Sequence, residues 1–297
     1  MSEFQEFKAF EKAGWEQRAS TYVSRTQALT GSLIGSIVDH LGPVTGLTAV
    51  DLASGPGYGA AEMASRGADV IGTDFANAMV EVAAALHPDL TFRQEDAENL
   101  SFDDSSFDLA LCTFGMLHFA HPEQALSEVF RVLKPGGKFT FSVWAPPEDF
   151  PMFGLLGGVV AEFGNLDVGL PPGPPAEAFS REDGARQAVE NAGFDFLTFT
   201  ASDFEAPLCP ASEIPDWYRD ISVRSQGLLD AQPPEKLAAV EQALIERFME
   251  YETDGMVILP MPHRIVTATK PPKKESNTVQ RRSSCDLSLP TPGSHDR

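Results

Sequence analysis

The chain has 297 residues, 42% of them hydrophobic, and a formal charge of −21. That length suits one large α/β domain or two small ones around a substantial core, and the acidity argues against nucleic-acid or anionic-membrane partners, which need a basic face to displace counterions. Cys112, Cys209 and Cys285 lie far apart and the six histidines do not cluster with carboxylates, so neither a disulfide framework nor a metal site is expected.

In chain order, residues 3 to 28 have helix-forming composition, with Phe4, Phe7, Phe10, Trp15, Tyr22 and Val23 spaced at roughly helical intervals. This aromatic terminal segment suits either a lid over an apolar pocket or a helix pinned to the domain by one face. No signal-peptide pattern opens the sequence and no run of about 18 apolar residues occurs, so a cytoplasmic protein without membrane insertion is expected. A second helix is predicted from Ser32 to Leu41, stopped by Gly42-Pro43.

From Leu47 short apolar runs alternate with helices. Strands are expected at 48–53, 69–73, 90–94, 107–113 and 138–144, with helices at 58–66, 77–86 and 122–133 between them. Runs that are apolar on both faces indicate a doubly wound parallel sheet, Rossmann-like, with helices on each side. A Gly- and Pro-rich stretch with a helix at 152–163 follows, then a helix at 180–192 with Ser180 as N-cap and Gly193 just past its end, and a strand at 194–204. A helical insert at 212–251 precedes a last strand at 256–269, interrupted by Pro260 and Pro262, so that a bulge or a late start to full pairing is expected near His263. From Lys270 onward six Lys and Arg face three Asp and Glu, leaving 16 basic against 40 acidic residues in the body. Disorder is expected there, and the pairs Lys273-Lys274 and Arg281-Arg282 suit a solvated tail or a localisation signal. The expected organisation is a helical lid segment at 1–45, a ligand-binding domain at 46–269 with substrate-side inserts at 145–180 and 207–252, and a tail at 270–297.

The stretch Val50-Asp51-Leu52-Ala53-Ser54-Gly55-Pro56-Gly57 runs from a strand into glycines and then a helix. Glycine lets the backbone turn sharply and approach a ligand, and a helix opening there aims free N–H groups at the same spot. Gly55, Gly57 and Ala60 satisfy a dinucleotide fingerprint, with Asp74 placed for ribose hydroxyls, so this turn fits a nicotinamide cofactor and S-adenosylmethionine (SAM) alike. The absence of any basic side chain in 50–65 weighs against a pyrophosphate.

Three later signals follow at consistent intervals: Val70-Ile71-Gly72-Thr73-Asp74-Phe75, Gln94-Glu95-Asp96-Ala97-Glu98-Asn99-Leu100, and Phe107-Asp108-Leu109-Ala110 with Arg131-Val132-Leu133-Lys134-Pro135-Gly136-Gly137. On this ordered set the sequence resembles the class I SAM-dependent methyltransferases, near the small-molecule enzymes grouped with quinone biosynthesis. The resemblance implies a seven-stranded sheet of order 3-2-1-4-5-7-6 with strand 7 antiparallel. It implies SAM as cofactor and S-adenosylhomocysteine (SAH) as product, bound by Tyr22, Ala53, Ser54, Gly55, Gly57, Asp74, Phe75, Met79, Asp96, Ala97 and Thr113. Ala53 departs from the glycine usual in the family. Asp51 is expected to order the loop rather than touch cofactor.

Methyl transfer from a sulfonium needs alignment, and a base only where the nucleophile carries a proton. His118, in Phe114-Gly115-Met116-Leu117-His118 after the fourth strand, matches a Leu-His element of related enzymes and is the candidate base; its alternative is to order the loop. Substrate contacts are expected from Phe114, Trp144, Phe150, Met152, Phe153 and Trp217. Together they suggest a small, largely apolar acceptor, aromatic or polyketide-like, methylated first of all at oxygen, with nitrogen and carbon as alternatives, by a monomer or homodimer. A SAM-binding cyclase or isomerase that transfers no methyl, and a non-catalytic regulatory subunit, are the alternatives.

Overall fold

The computed structural model describes residues 4–273. Seven strands form the central sheet: β1 (Thr48–Leu52), β2 (Asp69–Asp74), β3 (Thr91–Gln94), β4 (Phe107–Thr113), β5 (Leu133–Trp144), β6 (Asp195–Ser202) and, last in the chain, the strand His263–Thr269. Their order is β3-β2-β1-β4-β5, then the last strand, then β6, and the last strand runs antiparallel to both neighbours. The doubly wound architecture and its single antiparallel strand are those expected.

Apolar side chains on both faces of the strands force helices onto both faces. On one side Val50, Leu52, Ala110, Cys112, Phe139 and Phe141 pack beneath α5 (Pro122–Val132) and α7 (Glu182–Asn191). On the other, Ala49, Leu109, Leu111 and Ile265 pack against α2 (Ser32–Asp39) and α3 (Tyr58–Ser65). The order reverses between β1 and β4, which opens a crevice at the carboxyl edge. Helix α1 (Gln5–Thr26) lies across that edge and packs against α4 (Asn77–Leu86).

The two inserts join into one cap. Helices α6 (Pro151–Phe163), α8 (Ile214–Ile221), α9 (Val223–Asp230) and α10 (Pro234–Met249) share a core that includes Phe150, Met152, Trp217, Tyr218, Leu244 and Phe248. The Tyr218 hydroxyl donates to the Met152 carbonyl at 2.6 Å, fastening α8 to α6. Three short strands add a second sheet: β7 (Glu205–Pro207), β8 (Glu252–Thr253) and β9 (Met256–Pro260), in the order β7-β9-β8.

The stretch 256–269 is therefore two strands in different sheets rather than one interrupted strand. Pro260 and Pro262 lack ladder donors, so the chain leaves β9 at Pro260 and full pairing begins at His263 as β10 (His263–Thr269). Ser180 does not cap α7: its hydroxyl donates to the Glu177 carbonyl and Arg181 holds the N-cap position without a side-chain bond. Lys270 is anchored, its ammonium donating to the Phe130 and Leu133 carbonyls. Residues 274–297, with the Arg281-Arg282 pair, lie outside the described residues.

Trp217 is fully buried in the cap. Trp217→Ala should cost about 3–5 kcal/mol of stability in chemical denaturation, as for a large aromatic deleted from a packed core.

Candidate functional site

A cavity sits at the crevice, built from the ends of β1, β2, β3 and β4 and walled outside by α1. From the glycine turn come Ala53 and Gly55, from β2 and its loop Asp74, Phe75 and, on α4, Met79. The loop after β3 adds Asp96 and Ala97, β4 adds Thr113, and the segment beyond adds Phe114 and His118. Tyr22 closes the α1 side. Ser54 and Gly57 do not line the cavity. The Ser54 amide donates to the Thr73 carbonyl at 2.8 Å, and Gly57 is the left-handed residue that starts α3. A Cβ on Gly57 would lie 2.6 Å from the Phe92 ring, so that glycine is required by packing.

Asp74 organises the turn. One carboxylate oxygen accepts from the Gly55 amide and the other from the Ala76 amide, each at 3.0 Å. Burial pushes its pKa up to about 6, opposed by those two bonds and by the nearby His118. A Cβ built on Gly55 meets nothing within 4 Å, so the backbone there faces open space. Ala53 has φ of 48°. That conformation favours glycine, which is the physical reason for the glycine usual in the family. Phe114, also left-handed at φ 56°, turns the chain away from β4.

Asp51 lies outside the cavity lining, and it orders the turn through packing rather than through the backbone hydrogen bonds expected of it. Neither oxygen reaches a donor in good geometry; the Ala60 amide only partly offsets the burial, which pushes the pKa up to about 7. A Cβ on Gly59 would come within 2.7 Å of its Oδ2, so the carboxyl is packed directly against the start of α3.

Helix α1 supplies residues that sequence reasoning passed over. Lys8 bridges Asp96 at 2.6 Å and Glu98 at 2.7 Å. Glu98 in turn accepts from the Ala120 and His121 amides, fixing the loop that carries His118. Glu16 accepts from the Asn77 and Ala78 amides, capping the open start of α4. Glu11, fully buried, accepts from Trp15 Nε1 at 3.2 Å and meets His118 Nδ1 at 2.9 Å. The charged residues Lys8, Glu11 and Glu16 fall at helical spacing among the aromatics, a signal that reading only the aromatics missed. The segment is at once a docked helix and the wall of the cavity.

The cavity encloses about 70 Å³, against about 300–1,000 Å³ for ordinary small-molecule sites. Its residues nevertheless suit a nucleoside sulfonium. Asp74 keeps lone pairs for a ribose diol, the open backbone at Gly55 admits a ligand chain, Asp96 can accept from an adenine amino group, and Trp15 and Tyr22 add aromatic rings to the lining, with Arg18 already over the Trp15 ring at 5.5 Å. Burial raises the Tyr22 pKa to about 12, so its hydroxyl stays protonated.

A second cavity of about 480 Å³ lies between the sheet edge and the cap. Trp144, Phe153, Leu156 and Leu228 make much of its wall, and Ser222, Arg224 and Glu177 supply polar groups. Of the expected substrate residues, Trp144 and Phe153 reach it. Phe114 lines the first cavity and stacks on Trp144 with ring centroids 4.0 Å apart, so this pair stands between the two spaces. Phe150, Met152 and Trp217 instead fill the cap core. His118 lines both cavities. Among the described residues no group of three or more metal-ligating side chains occurs, and no helix is long and apolar enough to cross a membrane.

Such a crevice, with an acidic residue ending β2 and a glycine turn after β1, defines a nucleoside-binding α/β protein. Residues 50–141 match the methyltransferase domain family. A demethylmenaquinone methyltransferase from Thermus thermophilus is 34% identical over 172 residues, covering 50% of this chain and 77% of that protein. Its counterpart from Renibacterium salmoninarum is 36% identical over 127 residues, covering 43% of this chain and 52% of the relative. The crystal structure of the YcgJ protein from Bacillus subtilis superposes with a TM-score of 0.56 at 18% identity, covering 81% of this chain and 98% of that one, and so shares the fold. The chain belongs to the class I SAM-dependent methyltransferases, in the group that includes the quinone-biosynthesis enzymes. It spans about half the length of most of the curated relatives it matches.

Asp51→Asn tests the buried carboxyl. A raised native pKa means that the folded state holds a proton which the unfolded state has released, so stability falls as pH rises from about 4 to about 7. The asparagine variant lacks this loss. Its stability relative to wild type should rise across that window, by on the order of a few kcal/mol at most, in denaturation curves taken at pH 4, 5.5 and 7.5.

Proposed function

We propose that the chain transfers a methyl group from SAM to a hydroxyl oxygen of a small, largely apolar acceptor held in the larger cavity, with His118 as the base. The observation that carries this reading is that His118 belongs to both cavities, so one imidazole faces the cofactor crevice and the acceptor space together. Bound SAM supplies an electrophilic methyl: the acceptor oxygen forms the new bond to carbon while the sulfonium–methyl bond breaks and its electron pair stays on sulfur.

The chain's own residues provide alignment and proton removal. Asp74 holds the ribose, Asp96 and Ala97 the adenine edge, and Tyr22 and Trp15 the cationic end. The stacked Phe114 and Trp144 rings shape the passage between the spaces, and Trp144, Phe153, Leu156 and Leu228 exclude water from the acceptor. His118 takes the acceptor's proton; its position on a short 3₁₀ turn, Met116–His118, is fixed by its own amide bonding to Gly115 and by Glu98 behind it. A flat acceptor agrees with the quinone named for the relatives, and the cavity volume lies within the usual range for small-molecule sites.

Incubation with SAM and a panel of aromatic hydroxyl compounds should yield SAH and a product heavier by one CH₂ in equal amounts. Conversion without SAH would instead establish a cyclase or isomerase. Isothermal titration should show binding of SAM and SAH, with Asp74→Asn weakening both by about 10- to 100-fold, as for loss of a charged hydrogen-bond acceptor. His118→Ala should lower turnover by about 10²–10⁴-fold while SAH affinity changes little; equal losses in both would mark a structural residue.

A further inference from the structure

The base proposed above has a partner that comes from another part of the chain. His118 stands on the sheet edge after β4, whereas Glu11 stands on α1, 107 residues earlier. Glu11 is 0% exposed. A carboxylate in such surroundings is costly unless donors face it, and two do: Trp15 Nε1–H at 3.2 Å and His118 Nδ1 at 2.9 Å, both on Oε2. Its other oxygen has no partner. Trp15 Nε1 can only donate, so Oε2 accepts from it; with Glu11 ionised, Oε2 also accepts from His118 Nδ1, and a neutral imidazole in that pairing presents Nε2 without a proton. The Trp15 ring meets the imidazole edge-on with centroids 5.0 Å apart, which fixes the plane of the ring.

We infer that Glu11 is the positioning residue for His118, and that docking of α1 assembles the proton-accepting pair. The inference rests on His118 serving as base. In the step, a proton leaves the acceptor hydroxyl for Nε2 while the oxygen lone pair takes the methyl; the imidazolium so formed keeps its Nδ1–H on the Glu11 carboxylate and later releases the Nε2 proton to solvent. The carboxylate selects the tautomer, holds the ring and offsets the new positive charge. Because Glu11, Trp15 and Tyr22 share α1, the helix that closes the cofactor crevice is also the one that completes the base. Deprotonation is thereby confined to the closed, loaded site, which suits an acceptor whose hydroxyl must stay protonated until the methyl is in place.

Two readouts test this on the full chain. In the SAH complex, long-range ¹H–¹⁵N correlation of the imidazoles should show His118 protonated at Nδ1 and bare at Nε2, with Glu11→Ala erasing that preference. Glu11→Gln keeps an oxygen where Trp15 and His118 both donate and removes only the charge. With 1,4-naphthalenediol as acceptor probe, its kcat should fall at least tenfold, while KM for the probe and SAH affinity stay within about threefold and Glu11→Asp recovers part of the loss. A purely structural contact would leave the glutamine variant at wild-type kcat. That result, or an Nε2-protonated His118 in the wild type, overturns the inference. A wild-type chain that binds no SAH defeats the functional reading instead, and the tautomer in the unliganded chain then decides the pair.

Discussion

The carboxyl edge of the sheet is held by buried carboxylates that accept from backbone amides. Parallel strands buried on both faces end in loops whose N–H groups have no ladder partner, and burial of such groups is costly unless an acceptor reaches them. Asp74 takes two of these amides, at Gly55 and Ala76, and Glu98 takes two more, at Ala120 and His121. Glu16 takes the pair that opens α4. Crevice, turn and helix starts are fixed by these contacts before any ligand arrives.

Helix α1 depends on the same chemistry. Three of its charges meet the carboxyl edge, Lys8 with Asp96 and Glu98, Glu11 with His118 and Glu16 with the start of α4, while the buried Arg18 donates to Gln226 of the cap. The apolar part of the contact is small, centred on Trp15, Ala19, Ala76 and Met79. By contrast the cap has a core of its own, in which Trp217, Tyr218 and Phe248 are fully buried. The larger cavity is thus walled by the cap on one side and reached by Phe7 of α1 on another.

Backbone strain gathers at the same place. Ala53 and Phe114 both adopt left-handed conformations, and both line the cofactor cavity. Gly115 beside them is fixed sterically, since a Cβ there would come within 2.7 Å of both Ala53 and Cys112 Sγ. The chain thus brings three turns close together where the order of the strands reverses, and the space between them is the cofactor crevice. The Lys134-Pro135-Gly136-Gly137 turn, which contributed to the family resemblance, lies at the opposite end of β5. There Lys134 pairs with Asp108, and Gly137 admits close backbone approach.

Local patterning was enough to read most of the strands, their helices and the glycine turn with Asp74, because periodicity and turn chemistry act over a few residues; Asp96 and Thr113 were implied by the family resemblance and line the same cavity. It could not separate wall from core in the inserts. Trp144 and Trp217 are both aromatic residues near apolar ones, yet one lines the larger cavity and the other fills the cap. The split of 256–269 into two sheets, the join of two distant inserts and the meeting of Glu11 with His118 likewise belong to tertiary structure. Each depends on which surfaces remain unpaired after the local elements form. Segments far apart in the chain are brought together by burial of that remaining surface, and no local spacing encodes the result.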